Sequence, residues 1–259
     1  MKQFILHSMP DAEGHVVLTG KDYHYLARVR RLCEGETFSA TLPSGHRVQA
    51  KALAVTREHI LLDIVNTADG LPDKSEKSLP HIVLIQALPQ GSKMDLIVRQ
   101  AAECGVAEIV PFVAARSVRR CGETQTERWR RIIRAGREQS GSTVDTHVRE
   151  PVEHEELFEI WKEFHAADVS CIGILLHTTP LAQCTLHDYL TENITLIALV
   201  VGPEGGFSPE EAKSFISHGF KPLSLGRTVL RTETAALFAI AAVQIMLMEK
   251  GSWKHTAKE

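Results

Sequence analysis

From residue 81 onward the chain repeats one grammar: an unbroken apolar run, a turn, then a stretch with apolar residues every three or four positions. HIVLIQAL (81–88) is a continuous apolar run, as a strand covered on both faces is, and AEIVPFVA (107–114), CIGILLH (171–177), TLIALVVG (195–202) and KPLSLG (221–226) read as further strands. Helical spacing follows in SKMDLIVRQAAEC (92–104), Glu127–Gln139, Glu153–His165 and Pro209–His218, and an Ala-rich apolar helix is expected over Thr232–Lys250. Asp188–Thr191 reads as a short connector. This alternation predicts an α/β fold built on a parallel sheet.

The first seventy residues have another pattern. Segments such as Val48–Val55 and His59–Val65 are β-rich, and Pro43-Ser44-Gly45 suits a hairpin turn between strands. They predict a small all-β barrel, interrupted by one helix over Asp22–Leu32 that leaves through a turn at Gly35. Residues 66–80 are polar and contain Pro and Gly without periodicity, the composition of a linker. The expected division is a barrel at 1–70, a linker at 71–80 and an α/β domain at 81–259.

Of 259 residues, 44% are hydrophobic and 24% charged, enough apolar side chain for a core and too much for disorder as the main state. No apolar run was expected to reach the ~18 residues of a membrane span. The N-terminus lacks the apolar stretch and cleavage site of a secretory leader, so a cytoplasmic location is expected. Five cysteines (33, 104, 121, 171 and 184) show neither CxxC nor Cys/His ligand spacing, which argues against a disulfide framework and against a metal.

Formal net charge is −3, yet arginine is unevenly spread. Eight arginines fall between Arg116 and Arg137, including Arg119, and a second knot joins Arg28, Arg30 and Arg31 to Lys21 and His24. Each run fits a solvated helix face laced with ion pairs or a surface for a polyanion. Trp129 and Trp161 fit core packing better than base stacking, and Met246 and Met248 fit core.

Two segments carry chemistry. In LVVGPEGGFSPEE (199–211) a buried strand enters a glycine loop and then a helix whose Ser208–Glu211 spacing is that of a capping box. The loop is either a tight structural turn or a place where backbone amides approach a ligand, at the strand end where α/β folds bind one. It lacks the GK[ST] of a phosphate loop and the GxGxxG of a dinucleotide site. In LSLGRTVLRTETAALFAIAAVQ (223–244) a strand and glycine loop lead to Arg231-Thr232-Glu233 at a helix start, where Thr232 can serve as cap. Arg231 opposes the helix dipole there, so it needs an anion: Glu204 through an ion pair, or charge developing in a reaction.

With LGRTVLRTETAAL following GPEGGFSPEE, the chain resembles the 16S ribosomal RNA uridine N3-methyltransferase family, the small-subunit RNA methyltransferase E group of the SPOUT superfamily. QALPQGSKMDLIVRQAAECGVAEIVPF, WRRIIRAGREQSG and HYLARVRRLCEGE are also similar to family segments, so the resemblance covers nearly the whole chain. It implies a PUA-like barrel that grips RNA, a catalytic domain with a C-terminal trefoil knot, and a homodimer through the knotted domain. It implies S-adenosylmethionine as cofactor, held by Leu176, His177 and Thr178, by Gly202, Pro203, Gly205 and Gly206, and by Leu225, Gly226, Leu230 and Arg231. Arg231 is the expected catalytic residue, with Glu204 as proton acceptor or as its orienting partner. Lys21, His24, Arg28, Arg30, Arg31, Arg116 and Arg119 are the expected contacts to 16S ribosomal RNA or the small subunit. Alternatives are a SPOUT enzyme with another RNA target, such as ribose 2′-O, and an RNA-binding assembly factor without activity.

Overall fold

The structure, a computed structural model, describes residues 4–43, 46–65, 80–117, 123–166, 170–178, 184–190 and 193–251. Arg119, most of the expected linker and two residues of the Pro43-Ser44-Gly45 turn lie outside them. The chain forms two compact units, Met1–Glu76 with Glu138–Asp145, and Lys77–Arg137 with Thr146–Glu259.

The first unit is a five-stranded sheet in the order β1-β3-β4-β5-β2, formed by β1 (Phe4–Ile5), β2 (His15–Leu18), β3 (Thr37–Thr41), β4 (Arg47–Val55) and β5 (Ile60–Val65). Every pairing is antiparallel except that of β1 with β3, and a bulge between Ala52 and Ala54 bends β4. The sheet curls around Leu6, Leu26, Phe38, Ala50, Ile60 and Leu62. Helix α1 (Gly20–His24) continues as a wide π-type turn over Tyr25–Val29, with the Arg30 amide donating to the Tyr25 carbonyl at 2.9 Å. The expected exit at Gly35 is therefore corrected. Arg31 reverses the chain, at φ +56°, and lets the Leu32 amide reach the Leu26 carbonyl at 2.9 Å.

The second unit is a parallel sheet in the order β12-β10-β11-β6-β7-β8, with β9 also pairing β7. Its strands are β6 (His81–Ala87), β7 (Glu108–Val113), β8 (His147–Val148), β9 (Val152–Glu153), β10 (Cys171–Leu176), β11 (Leu196–Val201) and β12 (Lys221–Leu223). Its helices are α2 (Lys93–Glu103), α3 (Glu123–Ser140, counted in the first unit from Glu138 on), α4 (His154–Ala166), α5 (Leu186–Tyr189), α6 (Pro209–Ser217) and α7 (Thr232–Gly251). Strands β8 and β9 were not read from the sequence, β9 taking Glu153 from the start of the expected helix, and the connector near Asp188 is the four-residue helix α5.

Unbroken apolar strands serve two cores at once. Ile82 and Leu84 of β6 join α2, α7 and Trp129, whereas Val83 and Ile85 join α4 and α6 on the opposite face. Trp129 is fully buried and Trp161 is 4% exposed, so both indoles are core. Gly173 of β10 is fixed by packing, because a Cβ there would sit 2.4 Å from the Phe220 ring.

Helix α7 qualifies one expectation: its unbroken apolar run, Ala235–Val243, falls short of a span, but the composition of the helix as a whole does not. Its Thr232–Glu249 window is long and apolar enough to cross a membrane by length and composition, since its alanines count as apolar. Ala236, Ala239, Ile240 and Val243 enter the core, while Phe238 and Ile245 are 50% and 56% exposed. Only 28% of the window is buried.

Candidate active site

Strands β10, β11 and β12 end side by side, and the loops that follow them enclose a cleft of about 450 Å³ with the head of α7. All the residues expected to hold a cofactor line it: Leu176, His177 and Thr178; Gly202, Pro203, Gly205 and Gly206; Leu225, Gly226, Leu230 and Arg231. Glu204 lines it too. So do Arg116, expected as an RNA contact, Arg227 and Val229 of the expected cofactor loop from Leu225 to Arg231, and Phe207, which no sequence pattern singled out.

Long-range hydrogen bonds hold the loops. Glu211, 6% exposed, completes the capping box of α6: its Oε2 accepts from the Ser208 amide at 2.8 Å, and Ser208 Oγ accepts from the Glu211 amide at 3.1 Å. Its Oε1 accepts from the Ala115 amide at 2.8 Å, tying the start of α6 to the segment after β7. The next residue, Arg116, donates Nη1 to the Gly205 carbonyl at 2.7 Å. A Cβ at Gly205 would lie 3.3 Å from the Arg116 side chain, a contact tight enough to press on the side chain that donates to this loop.

Thr232 was expected to cap α7 and does not. Arg231 occupies the cap position, its carbonyl accepting from the Ala235 amide at 2.8 Å, and Thr232 begins the helix. Thr232 Oγ1 instead donates to the Gly202 carbonyl at 2.7 Å and accepts from Gln86 Nε2 at 3.0 Å. Gln86, fully buried at the end of β6, also donates to the Ala87 carbonyl at 2.8 Å. Strand, loop and helix thus meet at one hydroxyl.

Glu204 and Arg231 are not partners. The Glu204 carboxylate pairs with Lys93 and accepts from the Gln90 amide at 3.0 Å. Burial pushes its pKa up, but Lys93 and the Glu204 and Gln90 amides outweigh burial and leave it below the usual carboxylate range. Those contacts stabilise the anion and make it a weaker base. Arg231 is exposed, and among the described residues no carboxylate pairs with it.

The two basic segments differ. Lys21, His24, Arg28, Arg30 and Arg31 are all exposed on α1 and the turn after it. No described carboxylate pairs with the three arginines, and Arg30 lies over the Phe38 ring at 5.0 Å. On α3, Arg128 pairs with Asp95 at 2.7 Å, and Arg130 pairs with Glu127 and, at 3.1 Å, with Glu150.

Comparison with known proteins follows this division. A family model described as RNA methyltransferase PUA domain matches residues 18–65, and one described as RNA methyltransferase domain matches residues 75–244. Ribosomal RNA small subunit methyltransferase E of Synechocystis is 31% identical over 91% of this chain and 74% of its own length. The protein of the same name from Aquifex aeolicus is 30% identical over 87% of this chain and 92% of its own. Among solved structures, a ribosomal RNA small subunit methyltransferase E from Neisseria gonorrhoeae bound to S-adenosylmethionine has a TM-score of 0.79 and 25% identity. That match covers 95% of this chain and 98% of the other. The two-unit fold, the cleft at the ends of β10 to β12 and these matches agree: the chain belongs to the ribosomal RNA small subunit methyltransferase E family of RNA methyltransferases.

Proposed function

We propose that this protein transfers the methyl group of S-adenosylmethionine to N3 of a uridine in 16S ribosomal RNA. The observation that carries the reading is the pairing of a cleft made by three strand-end loops with an uncompensated guanidinium, Arg231, at the helix start beside it.

The cleft fits the cofactor. A volume of about 450 Å³ is in the range of small-molecule sites. Leu176, Pro203, Leu225 and Leu230 offer apolar contacts, and the glycine loops offer backbone groups. Bound there, S-adenosylmethionine supplies an electrophilic methyl group. Uridine N3 carries a proton and attacks poorly until that proton passes to solvent, which spreads negative charge over N3 and its flanking oxygens. Arg231 meets that charge with two parallel N–H donors, a geometry Lys lacks. Glu204, held by Lys93 and the Gln90 amide, positions its own loop.

RNA is held by Lys21, His24, Arg28, Arg30 and Arg31 of the first unit, with Arg119 and the cleft residue Arg116 in supporting contacts. The same reading includes the 1–70, 71–80 and 81–259 division, the trefoil knot, a cytoplasmic location and a homodimer through the C-terminal domain. Exposed Phe238 and Ile245 on α7 support the dimer, for which sedimentation at micromolar concentration is the check.

The deciding experiment is single-turnover methylation of small-subunit ribosomal RNA, with the modified atom located by mass spectrometry. Methyl on uridine N3 is expected. Methyl on a ribose oxygen would move the protein to another SPOUT activity, and cofactor binding without transfer would make it an assembly factor.

A further inference from the structure

Arg116, Arg227, Arg231 and Glu204 are the arginines and carboxylates lining the cleft. Two of these charges are balanced locally. Glu204 pairs with Lys93, and Arg116 donates to the Gly205 carbonyl and lies near the exposed carboxylate of Glu210. Arg227 and Arg231 are exposed, and neither has an ion pair or side-chain hydrogen bond among the described residues. The cleft therefore carries an excess of about two positive charges. S-adenosylmethionine, with a sulfonium, an ammonium and a carboxylate, is itself a net cation. A site of this charge works against its own cofactor until an anion joins it.

We propose that Arg227 contacts an RNA phosphate at the cleft, so that RNA binding neutralises the excess charge and raises the affinity for the cationic cofactor. This inference rests on the cofactor reading above and adds a coupling to it: RNA and cofactor each favour binding of the other. By reciprocity the cofactor tightens RNA by the same factor. Two unit charges within a cleft of this size, in a largely aqueous dielectric, change a cation's affinity on the order of three- to tenfold. Loss of the sulfonium charge on transfer removes the repulsion, so the neutral product form is favoured in the RNA-free cleft.

Calorimetry on the full chain tests this with two ligands that cannot transfer a methyl group. Sinefungin keeps a positive charge where S-adenosylmethionine has its sulfonium; S-adenosylhomocysteine has none there. Each is titrated at about 20 mM and about 500 mM KCl, where screening is weak and nearly complete, and at low salt with a small-subunit ribosomal RNA transcript. Sinefungin is expected to gain about three- to tenfold on S-adenosylhomocysteine when salt is raised or RNA is added. Arg227→Gln should lose roughly half of that response on a logarithmic scale, and Arg227→Lys should keep it. Sinefungin and S-adenosylhomocysteine responding in parallel would overturn the coupling, as would a wild-type response in Arg227→Gln. Failure of both ligands to bind the folded protein would instead remove the cofactor reading on which the coupling stands.

Discussion

Helix α3 and the turn after α1 are both rich in arginine, yet they use it differently. On α3, Arg128 and Arg130 are engaged by Asp95, Glu127 and Glu150, and the Arg130 pKa is raised chiefly by the Glu127 hydrogen bond, against burial. On the turn, Arg28, Arg30 and Arg31 have no described carboxylate, and Arg31 is held at φ +56°, a conformation non-glycine residues rarely adopt. Density of positive charge alone thus does not distinguish the two segments. What matters is whether local carboxylates have already answered it, and by that measure Arg231 and Arg227 belong with the turn rather than with α3.

The sharpest way to break this contrast is at Arg231. Arg231→Ala should reduce single-turnover methyl transfer by about a hundredfold or more while cofactor affinity stays within a few-fold, and Arg231→Lys should recover little. A fall in affinity that explains the whole rate defect would make Arg231 a binding residue only. Next in size is Arg28→Ala with Arg31→Ala. RNA affinity at moderate salt should drop about tenfold, and the slope of log affinity against log salt should fall by about one per lost contact. An unchanged slope would place the turn in the same class as α3.

A smaller effect is expected at Glu204, the answered charge inside the cleft. Glu204→Gln should weaken cofactor binding several-fold by releasing the loop from Lys93. Because the carboxyl pKa is lowered, its contribution is present above the ordinary carboxylate range and is lost as pH falls through the lowered value. Wild type and Glu204→Gln should therefore differ at neutral pH and converge in acid; a difference that persists after the Glu204 carboxyl has been protonated would assign the defect to something other than this ion pair. Smallest of all, Arg128→Ala should leave the RNA salt slope untouched and cost at most about 1 kcal/mol of stability, read by denaturant unfolding. A change in slope there would return α3 to the RNA surface.

Much of the second unit was legible because residues buried on both faces leave an unmistakable run. Strands β6, β7, β10, β11 and β12 all fall within runs read from the sequence, and α2, α6 and α7 lie close to their expected spans. The loops after β10, β11 and β12 were legible as one cleft through their resemblance to a family. Distant pairing was not. Lys93 and Glu204 are 111 positions apart, and Gln86 and Thr232 are 146 apart, so nothing local announces either bond. Arg231 was read as a misfit from dipole reasoning, but capping preference misassigned its neighbour: a Thr at a helix start looks like a cap unless the strand beneath competes for its hydroxyl. Strands β8 and β9 escaped notice because two residues are too few to show a period.

That hydroxyl also limits which mutations this lineage can accept. Valine has the shape of threonine, so Thr232→Val would pass any test of volume. It would nevertheless leave the Gly202 carbonyl without its donor and take from the buried Gln86 amide one of its two acceptors. Serine keeps the bonds and loses only a methyl group. A chain exploring sequence space one substitution at a time can step from Thr232 to serine with little loss. A step that removes the hydroxyl instead leaves strand β6, the glycine loop and the helix bearing Arg231 without the group that joins them.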